Sequence, residues 1–137
     1  MIFRAYIDGA ARGNPGPAGA GVWVEPRSGD GAEEHFESLG RVTNNVAEYR
    51  ALLLALGRAQ ELGAQEVEIF SDSLLLVEQV NGNYRVKADH LKPLISEALR
   101  RAKGFRRFRI SHVRRERNKN ADRLANLGAD ASEALEG

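Results

Sequence analysis

Four acidic residues stand where the sequence pattern predicts that strands end or helices begin. Asp8 closes a short run of β-forming residues, and Asp72 follows another such run. Glu48 lies in the first turns of a predicted helix, and Asp122 opens the last predicted helix. Taken singly, Asp8 before Gly9 is typical of a turn, Asp72 of a helix N-cap, and Asp122 of an acid that complements the helix dipole.

Glu48 is harder to explain as an ordinary surface residue. It precedes Leu52 by four positions and Ala55 by seven, so it lies at the margin of the helix's buried stripe. If the first and fourth strands are adjacent and parallel, Asp8 and Asp72 share the edge of the sheet where ligands bind. Carboxylates that converge without His or Cys predict a site for a hard cation such as Mg²⁺ or Mn²⁺, because the ion offsets their repulsion.

The elements that must position these acids follow the order β-β-β-α-β-α-α-β-α. Predicted strands cover residues 1–8, 21–24, 35–39, 66–70 and 108–113, and predicted helices begin near residues 43, 71, 89 and 121. Residues 9–21 are predicted to form a loop, residues 26–31 a hairpin turn, and residues 121–131 the final helix. Because a strand–helix–strand passage requires a parallel pair, the fold class is α/β, a mixed sheet with helices on its faces.

Composition excludes several classes of protein. The chain has 137 residues, 42% of them hydrophobic, and no cysteine, so disulfide frameworks and thiolate metal sites are excluded. No apolar run approaches the length of a membrane span, so a cytoplasmic protein is expected. The net charge of +1 hides an asymmetry, since residues 100–123 hold eleven Lys and Arg against two acids. This segment predicts a folded basic surface that faces a polyanion, with a solvated surface as the alternative.

Four sequence motifs together resemble type 1 ribonuclease H. They are DGAARGNPGPAGAG at residues 8–21, TNNVAEYRA at 43–51, SDS at 71–73 and NADRLA at 120–125. The resemblance implies a ribonuclease H-like fold, in which a five-stranded mixed sheet has three antiparallel and then two parallel strands. It also implies an endonuclease that uses two Mg²⁺ or Mn²⁺ ions to hydrolyse the RNA strand of RNA–DNA hybrids, leaving 5′-phosphate and 3′-hydroxyl ends.

The resemblance assigns roles to individual residues of this chain. The metal-binding and catalytic acids would be Asp8, Glu48, Asp72 and Asp122. Glu48 would also contact a ribose 2′-hydroxyl, the group that distinguishes RNA from DNA. Contacts with the RNA strand or with the minor groove would come from Asn14, Asn44 and Asn45, and a pocket for a DNA-strand phosphate from Arg41 and Thr43.

The sequence departs from many members of the family at two places. The loop before Asp122 lacks their histidine, and Arg115 is the best match to the arginine that the compact branch uses there; His112 is expected to pack within its strand. The basic protrusion of longer members is absent, so Tyr84 and Lys87 are expected to supply part of the substrate contact, with plain loop residues as the alternative.

Two further expectations concern the whole chain and its alternatives. The sequence predicts one ribonuclease H domain over residues 1–137, monomeric, with about the last eight residues as a frayed tail.

The glycine-rich residues 9–21 fit neither a P-loop nor a dinucleotide fingerprint. A non-catalytic nucleic-acid-binding protein would explain the basic segment but not the four acids. Another nuclease of the same fold would explain the acids but not the asparagine-rich motifs.

Overall fold

The computed structural model describes residues 1–27 and 31–136. Two of its connections contain a short 3₁₀ turn, at Asp89–Leu91 and at Arg115–Arg117. The strands and helices follow the predicted order and are β1 (Ile2–Ala11), β2 (Gly16–Val24), β3 (Glu33–Val42), α1 (Asn44–Glu61), β4 (Glu66–Ser71), α2 (Leu74–Val80), α3 (Lys92–Ala102), β5 (Arg107–His112) and α4 (Lys119–Glu136).

The five strands form one mixed sheet in the order β3-β2-β1-β4-β5. β1 and β2 pair antiparallel, as do β2 and β3, whereas β1–β4 and β4–β5 are parallel pairs. This arrangement confirms the predicted sheet of three antiparallel and two parallel strands. The register pairs Ile7 with Ser71, the last residue of β4. Asp8 therefore lies level with the C-terminal end of β4 but inside β1, which continues to Ala11 and does not end at Asp8 as the sequence pattern predicts.

The two faces of the sheet are covered by different helices. Helix α1 packs on the face that carries Phe3, Ala5 and Ile7, where its apolar stripe joins the hydrophobic core. The Tyr49 hydroxyl is satisfied inside this core by donating to Gln79 Oε1 at 2.7 Å. Helix α4 packs on the opposite face, over β2 and β3.

Helix α4 lies close to β2 because glycines line the contact. A Cβ on Gly19 or Gly21 of β2 would come within 2.5 Å of the α4 backbone, and a Cβ on Gly128 of α4 would lie 2.4 Å from the Glu37 carbonyl oxygen. Side chains at these positions would push the helix away from the sheet. The glycine-rich segment predicted to be a loop therefore has another role. Its two ends belong to β1 and β2, and the connection between the strands is short.

Helix α4 also corrects the expectation of a frayed C-terminal tail, because it is helical through Glu136. The cause is Ser132, which is 1% exposed. Its hydroxyl donates to the Ala18 carbonyl at 2.6 Å and accepts from the Gly40 amide at 3.0 Å, which fastens the last turns to β2 and β3. Arg12, in the connection between β1 and β2, adds ion pairs to Asp130 and Glu133 of α4.

Two other local predictions fare differently. Thr43 caps α1, near the residue where the sequence predicts that this helix begins, since its Oγ1 accepts from the Val46 amide at 3.3 Å. The cap of α2 is Ser73 rather than Asp72, and its Oγ accepts from the Leu76 amide. The predicted hairpin turn at residues 26–31 falls partly on residues 28–30, which lie outside the described residues. In the described chain, no helix combines the length and the apolar character that crossing a membrane requires.

Two helical glycines provide a matched test of the α4 packing. Gly128→Ala should lower the free energy of unfolding by about 1–3 kcal/mol, because the new methyl group would collide with the Glu37 carbonyl. Gly57→Ala in α1 should raise it by about 0.5–1 kcal/mol, because its nearest neighbour is the Arg101 guanidinium at 3.4 Å. Urea unfolding monitored by circular dichroism measures both. Equal stabilisation by the two alanines would contradict the close approach of α4 to β2.

Candidate active site

Two of the four acids meet because β1 and β4 are parallel neighbours. Asp8 is the residue after Ile7 in β1, and Asp72 is the residue after Ser71, which ends β4. Since Ile7 and Ser71 are register partners, Asp8 and Asp72 emerge side by side at the same edge. Asp8 is 9% exposed, and its Oδ1 accepts a hydrogen bond from the Gly9 amide at 3.0 Å.

Glu48 reaches this edge because α1 approaches the backbone of β1 closely. A Cβ on Gly9 would lie 2.4 Å from the carbonyl carbon of Ala47 and from the amide nitrogen of Glu48, so only glycine allows this contact. The Glu48 carboxyl then interacts with the Ser73 hydroxyl and with the Asp72 carboxylate. The Ser73 cap of α2 and the first turns of α1 thus lie beside the same acids.

Asp122 completes the group from the first turn of α4. Its amide donates to the Asn118 carbonyl at 3.0 Å, which closes the first turn of the helix. The Asn126 side-chain amide donates to the Asp122 carboxylate at 3.3 Å. The carboxyls of Asp8 and Asp122 lie within hydrogen-bonding reach of each other. The four predicted acids therefore converge at one edge of the sheet.

The electrostatics of this group reflect burial and mutual repulsion. Burial, followed by the Asp72 carboxylate and by the hydrogen bond with Asp122, raises the pKa of Asp8 from 3.8 to about 8. Burial also raises the pKa of Glu48 from 4.5 to about 7, against an opposing hydrogen bond from Ser73. Both carboxyls are therefore held partly protonated near neutral pH, in a site that a positive charge would stabilise.

The donor set fits a hard divalent cation. Among residues 1–27 and 31–136, no three His, Cys, Asp or Glu side chains are placed so that they could hold one metal ion on their own. Mg²⁺ rarely uses such a cage, since it keeps several waters and binds through one or two carboxylates together with substrate phosphates. An open arrangement of oxygen donors with raised pKa values is consistent with that mode of binding.

Asn118 is a site residue that the sequence reasoning missed. It is 1% exposed, and its side-chain amide donates to the Ile7 carbonyl at 2.9 Å, immediately before Asp8. Its position four residues before Asp122 is the only signal in the sequence, and an asparagine in a polar loop is ordinarily a turn residue.

The predicted substrate-contacting asparagines interlock around the start of α1. The Asn44 amide donates to Asn14 Oδ1 at 3.1 Å, and the Ala11 amide donates to Asn44 Oδ1 at 3.1 Å. These bonds join the β1–β2 connection to the helix and use the side-chain oxygens, so the amide NH₂ groups keep their donors for a ligand. Asn45 follows on the exposed surface of the same turn.

The remaining predicted contacts are exposed side chains on other elements. Arg41 is paired with Glu136 of α4 at 2.9 Å, and Tyr84 is 48% exposed on the connection after α2. Lys87 is exposed on the same connection, and Arg115 is exposed on the 3₁₀ turn before α4. His112 is also exposed, which corrects the expectation that it packs within β5.

Comparison with known proteins places this geometry in context. The sequence matches the family described as "Reverse transcriptase-like" over residues 6–128. It is 43% identical over 129 residues to the protein named Ribonuclease HI of Halobacterium salinarum, a match that covers 93% of this chain and 64% of that protein. The chain spans 35% of the length of the first curated relatives, three mycobacterial proteins.

Two solved structures are similar over nearly the whole chain. The N-terminal RNase H domain of Rv2228c from Mycobacterium tuberculosis, a fusion with maltose-binding protein, has a TM-score of 0.93 and 42% identity; the match covers 100% of this chain and 99% of that chain. LC11-RNase H1, solved in complex with an RNA/DNA hybrid, has a TM-score of 0.87 and 39% identity, covering 97% of this chain and 99% of that chain.

The raised pKa of Asp8 predicts a pH-dependent gain in stability on neutralising it. Below about pH 4 the carboxyl is protonated in both folded and unfolded chains. Between pH 4 and 8 the Asp8 carboxyl ionises in the unfolded chain but stays protonated in the folded chain, so the free energy of unfolding falls as pH rises. In EDTA, Asp8→Asn should raise the free energy of unfolding by on the order of 2–4 kcal/mol at pH 8 and by little at pH 4.

Chemical denaturation across this pH range measures the effect, with Asp89→Asn as the control. The Asp89 side chain is 93% exposed, so its neutralisation should produce no gain that grows with pH. An equal gain for Asp8→Asn at pH 4 and pH 8 would contradict the account, because it would assign the effect to packing rather than to charge.

Proposed function

Since the chain belongs to the type 1 ribonuclease H family, we propose that it is an endonuclease that hydrolyses the RNA strand of RNA–DNA hybrids. The products would carry 5′-phosphate and 3′-hydroxyl ends. The observation that carries the proposal is the convergence of Asp8, Glu48, Asp72 and Asp122 at one edge of the sheet. The solved complex of the similar LC11-RNase H1 with an RNA/DNA hybrid supports the choice of substrate.

The four acids would hold two divalent cations, Mg²⁺ or Mn²⁺, together with the scissile phosphate. When bound, such a pair supplies activation of the attacking water and stabilisation of the leaving 3′-oxygen. The chain's own contribution is to fix carboxylate oxygens on four elements and to keep Asp8 in a buried setting. Asp8 and Glu48, whose raised pKa values leave them partly protonated near neutral pH, would release these protons on holding cations, because metal ligands must be deprotonated.

Recognition of RNA would come from the N-terminal turn of α1 and the adjoining β1–β2 connection. Glu48 lies at this end of the helix, where it can also accept a hydrogen bond from a ribose 2′-hydroxyl. The NH₂ groups of Asn14, Asn44 and Asn45 can donate to base edges or to sugar oxygens in the minor groove. The interlocked hydrogen bonds of Asn14 and Asn44 would hold these donors in place before substrate arrives.

Recognition of the DNA strand would use Arg41 and Thr43, which flank the junction between β3 and α1. Arg41 faces Glu136 across an exposed ion pair, so a phosphate that binds Arg41 must exchange with that carboxylate. Exposed pairs of this kind contribute at most about 1 kcal/mol, so a phosphate can displace Glu136 readily. Tyr84 and Lys87 would add a stacking surface and a phosphate contact on the far side of the acids.

Arg115 would act on the phosphate near the acids. It lies on the 3₁₀ turn that leads into α4, three residues before Asn118 and seven before Asp122. An arginine stays charged through the working pH range, so it cannot shuttle a proton as a histidine would. Its role would be electrostatic, stabilising charge on the phosphate or helping the product leave. A single domain over residues 1–137, a monomeric state and a cytoplasmic location stay predictions.

The first prediction of this proposal concerns the acids. Asp8→Asn and Asp72→Asn should each abolish cleavage of an RNA–DNA hybrid in Mg²⁺ while hybrid binding persists, because removing negative charge does not weaken phosphate contacts. A gel assay on hybrid, duplex RNA and duplex DNA with Mg²⁺, Mn²⁺ or EDTA measures cleavage, and fluorescence anisotropy measures binding. Asp89→Asn, at an exposed position on the connection before α3, is the matched control and should cleave normally. Full turnover by Asp8→Asn at saturating Mg²⁺ would overturn the assignment.

The second prediction concerns Arg115. Arg115→Ala should lower kcat by roughly ten- to a thousandfold with little change in KM, since it removes one charged contact to the transition state. Arg115→Lys should recover part of the loss, and no new pKa near 6–7 should appear in the rate profile. Arg27→Ala provides the control, because Arg27 follows β2 at the opposite end of the sheet from Asp8. A rise in KM alone would make Arg115 a binding residue, and unchanged kinetics would move the role to Arg117.

A further inference from the structure

Asn118 joins three elements of the active site through one residue. Its backbone amide donates to the Arg115 carbonyl at 3.0 Å, and its carbonyl accepts from the Asp122 amide at 3.0 Å. Its side-chain Nδ2 donates to the Ile7 carbonyl at 2.9 Å, within the peptide group that links Ile7 to Asp8. A single buried residue thus connects Ile7 of β1, the 3₁₀ turn and the start of α4.

The buried amide is retained at a cost. Asn118 is 1% exposed, and its Oδ1 is buried without a hydrogen-bond partner among the described residues. A buried acceptor without a partner destabilises the fold, so an apolar residue would be favoured if filling space were the only requirement. The side chain is therefore kept for its donor, which is the half of the amide that reaches β1.

We infer that Asn118 is a positioning residue that fixes the separation of Asp8 and Asp122, and this inference rests on the proposed function. Asp8 is one bond from the peptide that Asn118 holds, and Asp122 begins its turn on the Asn118 carbonyl. The two carboxyls repel each other when ionised, so without the hydrogen bond from Asn118 to Ile7 the start of α4 can shift away from β1. The distance between two metal-binding carboxylates would then no longer be set by the fold. Supporting groups of this kind typically contribute 10–100-fold to metal affinity or activity.

The structure offers a matched control in Asn81. Its Nδ2 donates to the Ile110 carbonyl of β5 at 3.3 Å, so it makes the same type of bond between a side-chain amide and a strand carbonyl. Asn81 caps the C-terminal end of α2 and bonds to β5, and neither element carries any of the four acids. Both substitutions should lower stability, more so at Asn118, which is buried while Asn81 is exposed. Loss of metal affinity and of kcat should belong to Asn118 alone.

The test combines two readouts on the whole chain. The first is kcat and KM on an RNA–DNA hybrid, and the second is the affinity of the substrate-free protein for Mn²⁺, measured by electron paramagnetic resonance of the free ion. Asn118→Ala should lower kcat by about 10–100-fold with KM within about threefold, and should weaken Mn²⁺ binding by about tenfold. Asn81→Ala should lower the melting temperature and leave kcat and Mn²⁺ affinity within about threefold of wild type.

Folded Asn118→Ala protein with wild-type kcat and Mn²⁺ affinity would overturn the inference, as would equal losses in Asn81→Ala. If Asn118→Ala does not fold, Asn118→Leu carries the kinetic test, because leucine has a similar volume and no donor for the Ile7 carbonyl. It should show the same loss of kcat, and normal kcat would overturn the inference. If the wild type fails to cleave the hybrid, the proposed function fails, and Mn²⁺ affinity alone then decides the role of Asn118.

Discussion

Repulsion among four carboxylates at one edge of the sheet is the constraint that the surrounding structure must withstand. The parallel pairing of β1 and β4 forces Asp8 and Asp72 together, and burial raises the pKa of Asp8 to about 8. A folded chain tolerates such a group only if its backbone is held by other contacts. The repulsion that lowers the stability of the fold at this edge also favours the binding of cations, since a bound positive charge removes that repulsion.

Glycines provide much of the backbone positioning. Gly9 lets α1 approach β1 until the backbone at Glu48 lies against the strand, and Gly21 lets α4 approach β2 beside Ala121. Each helix delivers one acid in its first turns, so the same close packing that builds the core also sets the reach of Glu48 and Asp122. The helices on the two faces of one sheet, each brought close to a strand at a glycine, thus converge on a single cluster of charges.

Much of this arrangement could be predicted from sequence because it depends on local patterns. Alternation and helical periodicity predict the element order, and a strand–helix–strand passage predicts that the sheet contains a parallel pair. The sequence leaves open whether β1 and β4 are neighbours, and the structure shows that they are. The features that escaped prediction depend on contacts distant in sequence. Ser132 extends α4 by bonding to β2 and β3, and Asn118 bonds to Ile7 across more than 100 positions. No local pattern distinguishes these residues from ordinary polar residues of a helix or loop.

The most direct test of the account is a titration of the Asp8 carboxyl itself. Carbon-13 NMR of the metal-free protein, with the signal assigned by its loss in Asp8→Asn, follows ionisation without relying on activity. The account predicts that Asp8 titrates near pH 8 in EDTA and that added Mg²⁺ lowers its pKa, because the cation competes with the proton. A metal-free Asp8 that titrates near 3.8 would show that the carboxylates are not held together as described, and would contradict the account.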